Sequence, residues 1–456
     1  MGIENYSRDI QKLLKRNNLK IGDMVKVVKG RNIYEGLLMP RIELGDSNCI
    51  VLKISSGYNI GIKYEKRIVI NKSRKHEPRE IKEELKYEFG KEYVRKLKFD
   101  KSKPKVAFVV TGGTIVSRID YTTGGVSPLE KPEELLMNVP ELEKIINIED
   151  IVSPFKKASE DLNPKDWQKL ATTVAKELNK NEGVMVAIGT DTMHYTSAAL
   201  SFMLKNLYKP VVLVGSQRSS DRGSSDASLN IICSAQASVS DIGEVGTCMH
   251  ATTDDHFCNF IRGTKVKKMH STRRDAFRSI NELPLARVWP DGKIDILNKN
   301  YKKRDNDKKV SADIKFEPRV ALLKMYPGSE PKILEFLIDE GYKGFVLEGT
   351  GMGHVPTKTE KSWIPVIKKA IKDEIPVVVT TQTVYGRVNT NVYSNLRILF
   401  HEAKAIPGED MLSEVAYVKL GWVLGHHKNF EEVNKMMLTN IAGEITQRSE
   451  LETFLV

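Results

Sequence analysis

The sequence predicts an α/β protein in which a small N-terminal β-barrel precedes a two-lobed, doubly wound and mostly parallel sheet. Three observations support this fold class. Short alternating strands occupy residues 24–70, apolar strand-like segments recur from residue 106 onward, and amphipathic helices separate several of these segments. Strands that alternate with helices are typical of a parallel sheet covered by helices.

The composition indicates a large folded protein of about two or three domains. The chain has 456 residues, of which 40% are hydrophobic, and its four cysteines are scattered with no CxxC pair. We therefore expect no metal in this chain, no disulfide framework and a cytoplasmic location. The first residues contain no apolar leader-like segment and no run of 18 apolar residues occurs, so we expect no membrane partner.

The chain is basic, with a formal net charge of +12 and a pI near 9.2. This charge fits attraction to polyanions such as RNA. Surfaces rich in lysine and glutamate are also typical of proteins that work at high temperature. Charge alone therefore decides neither for nor against a nucleic-acid partner.

Residues 1–72 predict a helix and a small β-barrel, which we interpret as a docking module. Ile10, Leu13 and Leu14 have helical spacing within residues 1–20. Five short strands with close turns follow, a pattern typical of a small barrel. They are Met24–Val28, Ile33–Met39, Cys49–Ile54, Asn59–Ile62 and Ile68–Ile70. Aromatic residues are too sparse here for an evident RNA stacking platform, although a direct RNA role stays an alternative.

The composition divides the rest of the chain into further segments. Residues 73–104 are crowded with lysine, arginine and glutamate, so we predict a charged linker with one helix at roughly 79–96. Residues 105–290 form a predicted first lobe that carries the chemical motifs, and residues 291–319 form a predicted connection. A second α/β lobe with terminal helices is predicted over 320–456.

Two short motifs follow predicted buried strands in the first lobe. Thr111-Gly112-Gly113-Thr114 comes directly after Val106–Val110, and Gly189-Thr190-Asp191-Thr192 comes after Val184–Ile188. In an open α/β sheet, the carboxyl ends of the strands form the edge where ligands bind. The motifs therefore bring threonines and an aspartate to one crevice, a set suited to covalent chemistry on an amide.

Each motif also has a simpler interpretation. A glycine-rich turn after a strand is more often a packing turn or a phosphate cradle, and a Thr-Asp pair before a helix is more often an N-cap. The basic segment Arg262–Arg274 supplies candidate lysines, although such a run is usually a solvated loop. A hydroxyl needs a base or a charged partner to become nucleophilic, so convergence of these segments would favour the chemical interpretation.

Several motifs together resemble the bacterial-type asparaginase family over roughly residues 104–445. They are the TGGTI turn, Tyr121 seven residues after Thr114, the GTDTM segment and the VLVGSQR segment at Val212–Arg218. Further segments, with the N-terminal β-module, resemble more narrowly the D subunits of archaeal glutamyl-tRNA(Gln) amidotransferases. These are His194–Thr196, Ser219–Arg222, Ser225–Asn230, Lys268–His270, Arg273–Asp275, Glu348–Gly351 and Glu414–Lys419. The fold implied by the resemblance is a two-lobed, asparaginase-like α/β sheet.

The resemblance implies a covalent acyl-enzyme and gives roles to particular residues of this chain. Thr114 is similar to the family's mobile-loop threonine and is the predicted nucleophile, with attack by Thr190 as the alternative. Thr190, Asp191 and Lys268 would activate the nucleophile and later the hydrolytic water. Tyr121 would align Thr114 through a hydrogen bond from its hydroxyl.

The resemblance also implies a substrate-binding position at Ser159 and Glu160, which would hold the α-amino and α-carboxyl groups. Glu160 stands where asparaginases commonly have glutamine, and a carboxylate there suits pairing with the substrate ammonium. Ile188 stands where many members have a histidine, which changes the polarity beneath the site. Three lysines lie close together in the relevant loop, so Lys267 stays the alternative to Lys268.

The resemblance implies an amidohydrolase subunit that hydrolyses glutamine or asparagine and passes ammonia to a partner. The implied partner is an E subunit, in a heterodimer or a dimer of heterodimers. With ATP and Mg²⁺ at the E subunit, the complex would convert Glu-tRNA(Gln) to Gln-tRNA(Gln), and this chain would hold no cofactor. A free-standing cytosolic asparaginase is the alternative, although catabolism needs neither the N-terminal module nor the linker. A non-catalytic scaffold or RNA-binding protein is a third interpretation.

Overall fold

A computed structural model describes residues 3–39, 46–54, 59–73, 100, 102–119, 126–128, 139–148, 150–219 and 225–455. Two predictions fall outside these residues. They are the linker helix at roughly 79–96 and the position of Tyr121.

The N-terminal module is an antiparallel sheet packed on a short helix, α1 (Arg8–Arg16). Its strands are β1 (Met24–Lys29), β2 (Asn32–Leu38), β3 (Cys49–Lys53), β4 (Asn59–Lys63) and β5 (Val69–Lys72), in the order β4-β3-β2-β1-β5. Ile10 and Leu14 of the helix share one apolar core with alternate strand residues such as Val25 and Val27. The predicted β-module is therefore present as an antiparallel sheet.

The first lobe contains a large mixed sheet with helices on its faces. Its strands are β6 (Val106–Val110), β7 (Ser117–Ile119), β8 (Val126–Pro128), β9 (Ile151–Val152), β10 (Gly183–Ala187), β11 (Leu204–Lys205), β12 (Val211–Val214), β13 (Val245–His250), β14 (Cys258–Arg262), β15 (Val266–Lys268), β16 (Phe277–Ser279), β17 (Ala286–Val288), β18 (Ile294–Ile296) and β19 (Ser311–Ala312). The helices are α2 (Pro164–Leu178), α3 (Met193–Met203) and α4 (Ala227–Ser238), with 3₁₀ turns at Thr114–Val116, Pro140–Lys144 and Ser159–Asp161. The main sheet has the order β18-β17-β14-β13-β12-β10-β6-β9.

This sheet is parallel through β9, β6, β10, β12 and β13, and antiparallel from β13 through β14 and β17 to β18. The parallel half and the α/β fold class are confirmed. Ile294–Ile296 lies in the segment predicted as the inter-lobe connection, yet it forms edge strand β18 of the first lobe. A tight turn at Gly292, with φ of +99°, joins β17 to β18, so the charged, proline-containing segment folds back as a hairpin.

The second lobe is a smaller parallel sheet with its own helices. Its strands are β20 (Val320–Lys324), β21 (Gly344–Gly349), β22 (Val377–Thr381) and β23 (Ile406–Pro407), adjacent in that order. The helices are α5 (Lys332–Asp339), α6 (Ile364–Lys372), α7 (Ser394–Arg397), α8 (Ser413–Leu424) and α9 (Phe430–Leu438), with a π-helical turn at Ile398–Glu402 and a 3₁₀ turn at Leu451–Thr453.

Helix α8 joins the two lobes. Its apolar residues share one core with α3 and with the inner strands of both sheets. The rings of Phe202 on α3 and Trp422 on α8 stack with their centroids 6.3 Å apart. At their other ends, the start of α8 lies close to the first turn of α3, where His194 Nε2 is 3.7 Å from Glu414 Oε1.

Candidate active site

The candidate site lies where three neighbouring parallel strands end. Val110 of β6 pairs with Ala187 of β10, and Ala187 pairs with Val214 of β12. Because the strands run in the same direction, their following loops leave the sheet at one edge. The loops that begin at Thr111, Ile188 and Gly215 are thus adjacent.

The glycine turn after β6 is packed tightly against its neighbours. Gly112 and Gly113 have φ of +127° and +90°, a region that side chains disfavour. A Cβ on Gly112 would lie 2.3 Å from Lys157 O, and one on Gly113 would lie 2.3 Å from Gly189 N. Thr114 follows this contact directly, is half-buried and begins a 3₁₀ turn. The turn therefore sets Thr114 on the loop beside the GTDT motif.

Thr190, Asp191 and Lys268 come together in one polar cluster. Lys268 Nζ donates hydrogen bonds to Thr190 Oγ1 at 2.9 Å and to Asp191 Oδ1 at 2.6 Å. Thr190 is buried, the Lys268 side chain is 9% exposed, and the Asp191 side chain is 65% exposed. A buried hydroxyl and amine thus meet a carboxylate that reaches solvent, so one side of the cluster is open to a ligand.

The glycine turn is the tight packing turn of its simpler interpretation, whereas the GTDT motif and Lys268 differ from theirs. The N-cap of α3 is Thr192 rather than Asp191, and no side chain caps the helix. The Thr192 hydroxyl instead donates to Ser159 O at 2.6 Å. Lys268 is not part of a solvated loop, because its side chain is largely buried at the end of β15.

The side chains of the two candidate lysines point in opposite directions. In the β15–β16 hairpin, Lys267 pairs with Arg278 and Lys268 with Phe277. Successive strand residues point to opposite faces. Lys268 accordingly contacts Thr190, whereas Lys267 forms an ion pair with Glu414 of α8. The geometry brings Lys268, rather than Lys267, to the threonine motif.

The predicted substrate-binding residues lie on the loop after β9. Ser159 is buried, and a Cβ on Gly189 would lie 2.8 Å from its Oγ. Glu160 is the next residue of the same 3₁₀ turn and is exposed. Ser159 therefore packs directly against the GTDT loop, with Glu160 beside it at the surface.

A third loop supports the cluster from the opposite side, and its support was not predicted. A Cβ on Gly215 would lie 2.8 Å from Thr190 Cγ2. Asp226 fixes this loop by accepting hydrogen bonds from the backbone of Gln217 and Arg218, and Asn230 Nδ2 donates to Gly215 O at 2.9 Å. Burial raises the pKa of Asp226, and these backbone hydrogen bonds oppose the rise. Asp226 and Asn230 lie one helical turn apart in the sequence SDASLN. This spacing is the sequence signal that could have predicted their support of the loop.

The described residues contain neither a metal-binding cluster nor a membrane-spanning helix. Among them, no group of three or more histidine, cysteine, aspartate or glutamate side chains is arranged to hold a metal ion. Within the same residues, no helix combines the length and apolar character needed to cross a membrane.

Three family models match the chain along its length. They are a GatD N-terminal domain at residues 19–72, an asparaginase N-terminal domain at residues 105–302, and a glutaminase/asparaginase C-terminal domain at residues 319–437. The last two models cover the lobes that form and support the candidate site. Together with the fold, they define the class of asparaginase-like α/β proteins.

The similarity to known relatives extends beyond these lobes. The D subunits of glutamyl-tRNA(Gln) amidotransferase from Pyrococcus abyssi and Thermococcus kodakarensis are each 51% identical to the chain, over 98% of it and 99% of each relative. The solved thermostable L-asparaginase from Thermococcus kodakarensis is 31% identical with a TM-score of 0.66, and covers 75% of this chain and 99% of its own. The chain therefore belongs to the family of glutamyl-tRNA(Gln) amidotransferase D subunits. This confirms the predicted family, and it supports an amidotransferase subunit over a free-standing asparaginase.

Proposed function

We propose that this chain hydrolyses the side-chain amide of glutamine or asparagine and supplies the ammonia to an amidotransferase complex. The Lys268–Thr190–Asp191 cluster beside the glycine turn carries the proposal, because it joins hydroxyl, amine and carboxylate groups in an open crevice. The near full-length similarity to amidotransferase D subunits supports the destination of the ammonia.

In the proposed first half-reaction, Thr114 Oγ attacks the amide carbon of the substrate. The hydroxyl proton passes through the Lys268 cluster to the leaving nitrogen, the C–N bond breaks, and ammonia leaves. An ester then joins Thr114 to the acyl group. Hydrogen bonds donated by Lys268 stabilise charge that develops on oxygen at this edge of the sheet. Attack by Thr190 is the alternative.

In the second half-reaction, a water molecule adds to the ester carbon. Asp191 and Lys268 orient this water, and Asp191 takes up its proton. The C–O bond to Thr114 breaks and the proton passes to Thr114 Oγ1, which restores the threonine hydroxyl. The product is glutamate or aspartate. The same cluster therefore serves both steps, which matches its position between a buried hydroxyl and solvent.

Ser159 and Glu160 are proposed to hold the α-amino and α-carboxyl groups, with Glu160 facing the ammonium. Tyr121 is proposed to align Thr114. Ser159 packs against Gly189, so a substrate held there would lie beside the cluster. Exposed Glu160 lies next to it at the rim.

The proposed partner is an E subunit, in a heterodimer or a dimer of heterodimers in the cytoplasm. ATP and Mg²⁺ would act at that subunit, where ammonia would convert Glu-tRNA(Gln) to Gln-tRNA(Gln). The N-terminal module, which matches the GatD N-terminal domain, is proposed to dock within this complex.

Substitution of Thr114 tests the proposed function. In the assembled complex, Thr114→Ala should abolish glutamine-dependent amidation but leave amidation with added ammonium salts, because free ammonia bypasses the amidase step. Thr114→Ser should retain part of the activity, since it keeps a hydroxyl. Thr172→Ala, at an exposed threonine of α2, is the matched control and should behave like the unaltered chain. Loss of both activities in Thr114→Ala would contradict this division of labour.

A further inference from the structure

A buried charge cluster lies behind the candidate site and connects the two lobes. Glu414 belongs to the first turn of α8 in the second lobe. Its carboxylate forms an ion pair with Lys267 of β15, and His194 Nε2 of α3 lies 3.7 Å from its Oε1. The exposed fractions of the Glu414, Lys267 and His194 side chains are 10%, 20% and 9%. The cluster is therefore largely enclosed by protein.

Both partners of Glu414 lie close in sequence to residues of the candidate site. Lys267 immediately precedes Lys268, and His194 lies in the first turn of α3, directly after the loop that carries Thr190 and Asp191. One carboxylate thus holds the two chain segments that supply the polar cluster. Since Lys267 and Lys268 point to opposite faces of one strand, fixing Lys267 also fixes the direction of Lys268.

The surroundings keep Glu414 ionised. Burial by itself would raise the pKa of this carboxyl, but the proximity of His194 and the charge of Lys267 lower it to about 2. The position in the first turn of α8 also favours a negative charge, because the amide dipoles of a helix point their positive ends there.

We propose that Glu414 is a positioning residue, which sets the Lys268 amine against Thr190 and Asp191 by anchoring Lys267 and His194 from the other lobe. This inference rests on the proposed function, since it assigns Lys268 a role in amide hydrolysis. Glu414 itself touches no reacting atom in the proposed reaction. Its loss lets the β15–β16 hairpin move relative to α3, and a displacement of about 1 Å can lower a rate by about 100-fold.

The test compares Glu414→Gln, Lys267→Met and the double variant in the full chain. Amide hydrolysis is followed at varied glutamine and asparagine concentrations, and thermal unfolding is measured for every variant. In Glu414→Gln, kcat should fall by about 10- to 100-fold, while KM changes by less than about twofold, because the substrate-binding residues lie on another loop. The double variant should be no slower than the slower single variant, since both substitutions remove one interaction.

A second buried ion pair on α8 provides the matched control. Lys419 and Glu444 are both fully buried, with Nζ and Oε1 2.6 Å apart, and in the described structure their hydrogen bonds go to residues 437–442 rather than to β15 or the first turn of α3. Glu444→Gln should lower the unfolding temperature and leave kcat of the folded protein unchanged.

The outcomes separate this inference from the proposed function. An unaltered chain with no hydrolysis of either amide, alone or in the complex, contradicts the proposed function itself. If the unaltered chain is active and folded Glu414→Gln keeps its kcat, or changes KM alone, only the positioning role is overturned. Additive losses in the double variant would likewise overturn it.

Discussion

Lys265 and Lys268 lie three residues apart on one hairpin segment, yet their surroundings differ. Lys265 Nζ lies 2.6 Å from Asp410 Oδ2, and both side chains are fully buried. Asp410 also accepts hydrogen bonds from the backbone N and the hydroxyl of Thr446. Lys268 has a buried amine, but its charged partner Asp191 is mostly exposed.

The difference separates a structural charge from one that is available for chemistry. Around Lys265 the charged partner is a fully buried carboxylate that accepts further hydrogen bonds, so the pair links the first lobe to the second. Around Lys268 the partners are a hydroxyl and an exposed carboxylate, so a substrate can approach them. Lys267 lies between these cases, since its partner Glu414 is buried near the site.

The largest effect on stability is expected at the enclosed pair. Lys265→Ala leaves the buried Asp410 carboxylate without its nearest cation, and removal of one partner from a buried pair costs about 3–5 kcal/mol. Chemical denaturation should report this loss in the free energy of unfolding, while kcat per folded molecule falls much less than in Lys268→Ala. A loss below about 1 kcal/mol would remove the proposed contrast between the two lysines.

An exposed pair on α6 serves as the control for that measurement. Lys368 Nζ lies 3.6 Å from Glu402 Oε2, and the side chains are 47% and 60% exposed. Lys368→Ala should change the free energy of unfolding by less than about 1 kcal/mol, because solvent screens such pairs.

The next largest effect is expected at Lys268, and on rate rather than stability. Lys268→Ala removes the donor to Thr190 and should lower kcat by about 10²- to 10³-fold, the usual result of losing one such donor. Lys267→Ala should lower kcat less, because it acts only through position. Steady-state rates of glutamine and asparagine hydrolysis compare the two variants. A larger loss of kcat in Lys267→Ala would assign the donor role to Lys267 instead.

The smallest effect concerns the acid stability given by Glu414. Its pKa lies at about 2 in the folded chain against an ordinary value of 4.5, so its ionisation stabilises the fold above about pH 4.5 and this contribution fades as pH falls toward 2. The groups that face it are Lys267, His194 and Tyr195, and burial followed by the Glu414 charge raises the pKa of Tyr195.

Chemical denaturation of the unaltered chain and of Glu414→Gln at several pH values checks the contribution of the Glu414 charge to stability. The gap in unfolding free energy should be about 1–3 kcal/mol near neutral pH and should narrow below about pH 4. A gap that is constant, or that widens on acidification, would show that Glu414 stabilises the fold without its charge.

Local sequence signals predicted much of the fold. Asn163-Pro164 is a local signal for a helix start, because asparagine is a good N-cap and proline suits the first helical position. Helix α2 begins there, with the Asn163 side chain accepting from Lys165 N and Asp166 accepting from Asn163 N. The buried strands β6 and β10 also end where the threonine motifs begin. Both signals depend on neighbouring residues alone.

Long-range pairing accounts for what the sequence did not predict. The antiparallel edge of the main sheet is formed by β14, β17 and β18. It includes the β17–β18 hairpin, whose amino-acid composition is typical of a connecting loop. Glu414 meets Lys267 across 147 residues of chain, and neither residue type nor spacing indicates that contact. For the site, the convergence of Thr190 with Lys268 required the fold, whereas the roles of Thr114, Ser159 and Glu160 stay predictions, as does that of Tyr121.

The central claim is that a threonine of the glycine turn attacks the substrate amide beside the Lys268 cluster. A diazoketone analogue of glutamine, which bonds stably to an amidase nucleophile, tests this when the labelled chain is digested and its peptides are mapped by mass spectrometry. If Thr114 is the nucleophile, we expect one label on Thr114, protection by excess glutamine and no label in Thr114→Ala. A label on Thr190, or turnover of glutamine by a chain whose threonines all stay unlabelled, would contradict it.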